Sequence, residues 1–415
     1  MRTYIRLAAA SAAIGLFVVS NSFGLGFRNP DQDARATAQG EAFVAQADSP
    51  SAVYYNPGGL TQLSGTEMSS GGFVTFRDIQ FDGKTSSADL NDPAYTAHSY
   101  VATDFGLENW RFGLGVNIPF GNANDWGSHT DFKYQITKSS LQVFNYTAVV
   151  AFKVNDHFSL GTGLNFYDAN TELDRLIPFS LLFPGASDGR FSFNGDGQAF
   201  GATAGLLWTI NKQNSIGLVY RSPFAIDFHG SAVVKNDATG TLGHSSATAE
   251  ITFPQSVAVG YAFRPIPKLK LEVDAEWTDW DTLNTVKLHS PNSAFQTDPG
   301  SQIRFNWMSS WFLETGAQYA LTEHWTLRGG YIYSQNTVPN STFSPSLPDN
   351  NRHVFSAGFG FAAGHFTIDF TYQYSLTEER TINNSADANF DGTGDLNGKW
   401  TSNGNALVIT STFKF

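Results

Sequence analysis

Ala406-Leu407-Val408-Ile409-Thr410-Ser411-Thr412-Phe413-Lys414-Phe415 closes the chain. Successive side chains of a strand point to opposite faces. Leu407, Ile409, Phe413 and Phe415 then share one face, and Thr410, Thr412 and Lys414 share the other. The stretch predicts an amphipathic strand that ends on Phe. If the strand lies in a membrane, its apolar face meets lipid and its polar face meets an enclosed lumen.

The other end of the chain says whether a membrane is within reach. Arg2 and Arg6 precede the apolar run Leu7 to Val19, and Ser20-Asn21-Ser22 follows it. This is the pattern of an export signal, with cleavage expected between Ser22 and Gly24, so residues 1–23 are set apart from the fold. The apolar run, about 13 residues, is too short for a spanning helix, which needs roughly 20. An exported chain that stops on such a strand resembles a bacterial outer-membrane barrel, and the outer membrane is the expected location.

Composition narrows the choice further. Of 415 residues, 15% are charged and 14% aromatic, with 39 Gly and 36 Phe, a mix that favours strands and turns over helices. The net charge of −12 argues against a nucleic-acid partner, which requires a basic face. No Cys is present, so disulfides, thiolate metal sites and Cys nucleophiles are excluded together.

Period-2 alternation recurs along the chain. Leu269, Leu271, Val273 and Trp277 oppose Lys268, Lys270, Glu272, Asp274 and Glu276, and Trp325, Leu327, Tyr331 and Tyr333 oppose Thr326 and Arg328. Such runs give about 14 strands, each near the roughly 9–11 residues of a tilted membrane strand. They start near Glu67, His98, Trp110, Leu141, Phe158, Phe193, Ser215, Ala249, Lys268, Phe305, Trp325, Arg352, His365 and Asn405. Connections alternate between short turns (Glu108-Asn109, Asn155-Asp156, Asn211 to Asn214, Arg264 to Pro267, Thr322 to His324, Ala363-Gly364) and long loops near 82–96, 119–140, 174–192, 230–246, 282–304, 336–351 and 379–403. That asymmetry is the barrel pattern of periplasmic turns and external loops. A soluble secreted sandwich or propeller would also alternate, but would not sort its loops this way. A hairpin repeat shows as Asp156-His157-Phe158-Ser159-Leu160, Glu323-His324-Trp325-Thr326-Leu327 and Gly364-His365-Phe366-Thr367-Ile368.

Residues 24–65 lack the alternation. Ser49-Pro50 suits a helix start and Asn56-Pro57-Gly58-Gly59 a stop. The lumen of so wide a barrel is too large for side chains alone to fill, and a plug of about 40 residues is the economical filling. The expected architecture is all-β: a 14-stranded antiparallel transmembrane β-barrel over 66–415 with a small N-terminal helical hatch over 24–65.

Gly40-Glu41-Ala42, Ala47-Asp48 and Val53-Tyr54-Tyr55-Asn56-Pro57-Gly58-Gly59-Leu60 resemble the hatch of the outer-membrane channels for long-chain fatty acids and hydrocarbons, the FadL type. Gly113-Leu114-Gly115-Val116-Asn117-Ile118-Pro119-Phe120-Gly121 resembles that family's third-strand segment. Gly58 stands where the family usually has Ala, a departure that bears on hatch stiffness. The resemblance implies that external loops capture a hydrophobic ligand, which enters a pocket between wall and hatch. The ligand then leaves sideways through a gap at a kinked third strand.

Candidate residues follow. Gly40, Phe43, Asn56, Pro57 and Gly58 mark the hatch, and Gly113, Gly115 and Pro119 mark the third-strand kink, because Gly weakens a ladder and Pro cannot donate to it. Ile177, Phe179, Leu181, Leu182 and Phe183 make an external loop unusually apolar, as capture of a greasy molecule or an inward-folded lid would require. Arg221, Lys270 and Arg328 are lumen cations that could meet a carboxylate, or could anchor the hatch together with Glu272, Asp274, Glu276, Glu314 and Asp369. Asp387, Asn389, Asp391 and Asp395 match half of a calcium loop, but Gly398 stands at the twelfth position, where Glu is normal. A flexible acidic loop is the better reading there, and no metal or cofactor is assigned. His157, His324 and His365 lie beside short turns, and no Gly-x-Ser-x-Gly, His-Glu-x-x-His or phosphate loop occurs, so an enzyme is not expected. The expected function is uptake of long-chain fatty acids by a monomer among outer-membrane lipid and lipopolysaccharide. Alternatives are a monoaromatic or alkane hydrocarbon importer, a plugged barrel serving as adhesin or receptor and, less favoured, a porin for polar solutes.

Overall fold

The computed structural model describes residues 26–182, 185–236, 240–292, 301–383, 385–386 and 394–415. The export segment lies outside them. Fourteen antiparallel strands close a barrel. They are β1 (Thr66–Gly83), β2 (Ser87–Leu90 and Pro93–Thr103), β3 (Trp110–Asp125), β4 (Lys138–Lys153), β5 (Phe158–Ile177), β6 (Gly189–Thr209) and β7 (Asn214–Arg221 and Phe224–Asn236). The circuit continues with β8 (Gly240–Phe253 and Ser256–Ile266), β9 (Leu269–Thr278 and Thr285–His289), β10 (Gln302–Arg304 and Ser310–Ala320) and β11 (Trp325–Ser334). It ends with β12 (Arg352–Ala363), β13 (Phe366–Thr377 and Arg380–Ile382) and β14 (Gly398–Lys414). Each strand pairs with the next, and β14 returns to β1 from Lys414 opposite Glu67 to Gly398 opposite Gly83. Closure pairs the last strand with the first, so the sheet has no open terminal strand, as lipid requires of a spanning sheet.

The terminal strand behaves as its pattern requires. Leu407, Ile409 and Phe413 are exposed on the outer wall, while Val408 and Thr410 are buried inside. Leu164 and Phe200, at 72% and 77% exposure, show the same outward apolar face on β5 and β6.

The strands are longer than expected. β5 has 20 residues and β6 has 21. The stretch assigned to a loop at 230–246 is instead largely ladder, with Asn236 opposite Gly240 and Phe224 opposite Phe253. His98, Leu141, Phe193, Ala249 and Asn405 therefore lie inside strands rather than near their starts, and Phe305 lies between the two segments of β10. Beyond the lipid, outward positions become Asn170, Asn194 and Asp196, all exposed. Backbone pairing continues there without apolar alternation, so a search for that alternation stops too early.

The hatch fills the lumen. It contains α1 (Ala34–Thr37), α2 (Ala52–Tyr55) and a 3-10 turn over Pro57–Gln62. The second helix begins after Ser51, not at Ser49-Pro50, and its first turn lacks a side-chain cap. Asn56-Pro57 does stop α2, but it also starts the 3-10 turn, with Asn56 Oδ1 accepting from the Gly58 N–H at 3.0 Å. Gly161 of β5 and Gly205 of β6 leave room for this corner; a side chain at either would collide with Asn56 or Pro57.

Candidate functional site

The hatch is fixed to the wall by charge. The N–H groups of Phe43 and Val44 both donate to Asp274 Oδ2 at 2.9 Å. Those of Ala45 and Gln46 donate to Glu272 Oε1 at 2.5 and 3.3 Å. The carboxylates of β9 thus satisfy a turn whose donors would otherwise be buried without partners. Asp48 lies between Lys270 Nζ at 2.5 Å and Arg35 Nη2 at 2.8 Å. Burial pushes the Asp48 carboxyl up, but Arg35, Lys270 and Arg264 outweigh it and hold the group below the usual carboxylate range. Asn56 Nδ2 donates to Val44 O at 2.7 Å and Leu206 O at 3.0 Å, tying the hatch corner to itself and to β6. Gly40 has φ +61°, and a side chain there would strike Tyr331 on β11.

The irregularity in β3 falls at Ile118-Pro119. Asn117 opposes Asn145 and Phe120 opposes Val143, so Ile118 and Pro119 together face Phe144 alone. Gly113 and Gly115, expected at the bend, lie in regular ladder on both sides. Their missing side chains instead make room for Val53, Leu60 and Tyr100. Pairing between β2 and β3 ends at Ser99 opposite Val116. Above that point β2 continues on β1 from Ala97 to Pro93, and β3 continues on β4 to Asp125. The inner edge of β3 is taken up by the chain's own N-terminal segment. The Asn29 N–H donates to Pro119 O at 2.8 Å and the Gly121 N–H donates to Phe27 O at 2.7 Å. Asn29 Nδ2 and Gln32 Nε2 both donate to Ile118 O at 3.2 Å.

Beside this edge a pocket lies between hatch and wall. Val53 and Tyr54 of the hatch form one side, and Phe120, Tyr167, Phe224 and Pro254 form the other. Tyr167 stacks on Phe224 with ring centroids 3.7 Å apart, and Phe224 stacks on Phe253 at 4.8 Å. Pro254 and Pro223 stand at the breaks in β8 and β7, where neither can donate to a ladder. The charged residues of the lining are Arg28, Arg221 and Glu276. Glu276 is shared: Arg28 Nη1 lies 2.8 Å from Oε1 and Arg221 Nη1 lies 3.6 Å from Oε2. Arg221 also donates to Tyr54 O at 2.8 Å and lies over the Tyr54 ring.

Next to the pocket, Phe27 is buried in an aromatic cage. Its ring centroid lies 4.9 Å from that of Trp307, 6.1 Å from Phe305 and 6.3 Å from Trp280. Neither Phe27 nor Arg28 was legible as a site residue, because one Phe after a signal segment carries no period or motif.

The remaining candidates separate. Arg221 lines the pocket, whereas Lys270 pairs with Asp48 and Arg328 pairs with Asp369 at 2.6 Å, away from it. In the apolar loop, α3 (Phe179–Leu182) follows Ile177 at the end of β5. Leu181 is exposed, while Ile177 and Phe179 are half-buried; Phe183 and the Leu182 side chain lie outside the described residues. Of the acidic loop, Asp387, Asn389 and Asp391 also lie outside them. Asp395 is buried and accepts from Gln135 Nε2 at 3.0 Å. No metal-binding group of His, Cys, Asp and Glu occurs among the described residues.

A family model described as outer membrane protein transport protein (OMPP1/FadL/TodX) matches residues 15–415. A putative outer membrane protein of Neisseria meningitidis is 24% identical, over 100% of this chain and 98% of that protein. A long-chain fatty acid transport protein of Escherichia coli is 24% identical, over 87% of this chain and 88% of that one. Among solved structures, a FadL homologue of Pseudomonas aeruginosa superposes with a TM-score of 0.82 at 20% identity, covering 94% of this chain and 100% of that one. A toluene transporter of Ralstonia pickettii gives 0.71 at 19%, covering 95% and 100%.

Proposed function

Because the chain belongs to the outer membrane protein transport family of FadL and TodX, whose members carry hydrophobic substrates across the outer membrane, we propose that its substrate is a long-chain fatty acid. The observation that carries this reading is the pocket lining, where two guanidinium groups share one carboxylate beside an aromatic wall. A carboxylate brought by the ligand would meet the Arg221 guanidinium in the lining, and charge-assisted bonds of this kind are strong away from water. The apolar tail would lie against Tyr167, Phe224 and Phe120.

The route begins at Ile177, Phe179 and Leu181, the apolar external loop. It passes the pocket and leaves beside the Ile118-Pro119 bulge, where β3 parts from β2. The backbone of Phe27 and Asn29 holds the edge of β3 beside the bulge, so the N-terminal segment must move for a ligand to pass. Its bonds to β3 involve few residues, which suits a displaceable segment. The barrel acts as a monomer within lipid and lipopolysaccharide.

A monoaromatic hydrocarbon is the second reading, favoured by the stacked Tyr167–Phe224–Phe253 wall, which needs no charged partner. Uptake of labelled oleate and labelled toluene, compared in a host stripped of its own channel of this type, decides between them. Oleate entry is the expected result. Toluene entry alone would move the function to hydrocarbon import, and entry of neither through a folded barrel would overturn both readings.

A further inference from the structure

One external loop is folded inward. Residues 335–351 join β11 to β12, and such connections ordinarily run over the surface. Here Thr337, Val338, Leu347 and Asp349 are all buried. Val338 and Leu347 belong to the apolar cluster that holds Phe27 and Trp280. Phe343 packs on Trp400 in a separate outer aromatic cluster. Asp349 Oδ2 accepts from the Gly26 N–H at 3.4 Å, next to Phe27 in sequence. The loop therefore roofs the N-terminal segment and its cage.

Its fastenings come from the upper part of β3. Asn124 Nδ2 donates to Ser346 O at 2.7 Å and Pro345 O at 3.1 Å. Trp126 Nε1 donates to Pro345 O at 2.9 Å, and Asn122 Nδ2 donates to Ser346 O. Arg77 of β1 reaches across β2 and donates to Asn124 Oδ1 and Ala123 O, each at 2.8 Å. It thus bridges the barrel wall above the point where β2 and β3 cease to pair. From the opposite side, Arg380 donates to Val338 O at 2.6 Å and Asn340 Oδ1 at 2.7 Å. Buried polar groups left without partners are costly, so these contacts favour two arrangements, all made or all replaced by water.

We propose that loop 335–351 is a lid over the ligand's route, and that Asn122, Asn124 and Arg77 are positioning residues coupling it to the bulged strand. This rests on the transport reading. Lifting the lid withdraws Val338 and Leu347 from the Phe27 cluster, releases Gly26, and frees the upper part of β3 in one movement. Access from outside and exit through the wall are thereby linked through one element.

The absence of Cys allows a clean test. Asn124→Cys is combined with Ser346→Cys, and Asn122→Cys with Ser346→Cys serves as a second pair. Uptake scales with the open fraction, so oxidation should lower oleate uptake about tenfold or more, with recovery on reduction of the same cells. Wild-type uptake through a fully oxidised barrel overturns the lid. So does failure of both pairs to oxidise in a folded barrel, since the loop would then not lie on β3. If neither the wild type nor the reduced variants carry oleate or toluene, the transport reading has failed, and the lid is judged without any ligand. Oxidation should then slow amide exchange from Phe27 to Gln32, and the double variant Asn122→Ala with Asn124→Ala should speed it. Exchange unchanged in both overturns the proposal.

Discussion

Arg221 is the residue at which the two substrate readings part. Its guanidinium meets Glu276 and Tyr54 and faces the pocket. Losing a charge-assisted bond costs about 1.5–3 kcal/mol, or roughly 10- to 100-fold in affinity. Arg221→Gln should therefore weaken oleate uptake by about that factor and leave toluene within about twofold, while Arg221→Lys should keep part of the oleate uptake. Equal losses for both ligands would make Arg221 a hatch anchor only. Asn56 is a different case, since it bonds the hatch rather than lining the pocket. Asn56→Ala leaves Val44 O and Leu206 O without their donor, and hatch amides should exchange faster with barrel amides unchanged. The Asp48 latch has a definite pH sense. Its folded-state pKa is depressed, so its contribution is complete above the ordinary carboxylate value of about 3.9 and is lost as pH falls below that. Proteolysis of the hatch should be alike at about pH 7 and pH 5 and should rise below about pH 4.

At the scale of elements, the bulge in β3 makes a sharp prediction. Ile118 and Pro119 oppose a single residue, so deleting Pro119 restores a one-to-one ladder with β4 and lets β3 follow β2 further. Oleate uptake should fall about tenfold or more as the lateral route closes, with the barrel still heat-modifiable on a gel. Uptake at the original rate would move the exit elsewhere. The apolar loop is tested separately. Phe179→Ser with Leu181→Ser should lower uptake at dilute ligand and leave it unchanged at saturation, as expected of a capture surface. Two of the three repeated hairpins share a contact. His157 Nδ1 meets Thr209 O at 2.8 Å and His324 Nδ1 meets Ala362 O at 2.9 Å, each stapling a turn to the end of a neighbouring strand.

At the scale of the whole molecule, a closed barrel and a buried hatch answer different requirements. The barrel closes its first strand on its last, as lipid demands of a spanning sheet. The hatch fills a lumen too wide for side chains, at the expense of burying the charges that bind it to β9. Deleting residues 34–60 should leave the barrel folded, abolish guided oleate uptake and admit polar solutes that the intact protein excludes, a change readable as increased sensitivity of cells to large hydrophilic antibiotics. A barrel that stays closed to them would mean that the external loops alone form the seal.

The alternation of the last strand and its repetition determined the barrel, its inward charges and its short turns, because lipid on one side and lumen on the other impose a period of two on the sequence itself. Asn56-Pro57-Gly58 marked the hatch corner through turn chemistry, which is also local to the sequence. Gly113 and Gly115 show where that legibility stops: as glycines they suggested a bend, but only the packed hatch reveals that they make room for Val53 and Leu60. The same holds for Phe27 in its cage, for Glu276 shared by Arg28 and Arg221, and for loop 335–351 turned inward. Each depends on contacts between segments hundreds of residues apart. Long-range packing leaves no period in the chain, so those choices belonged to the tertiary structure alone.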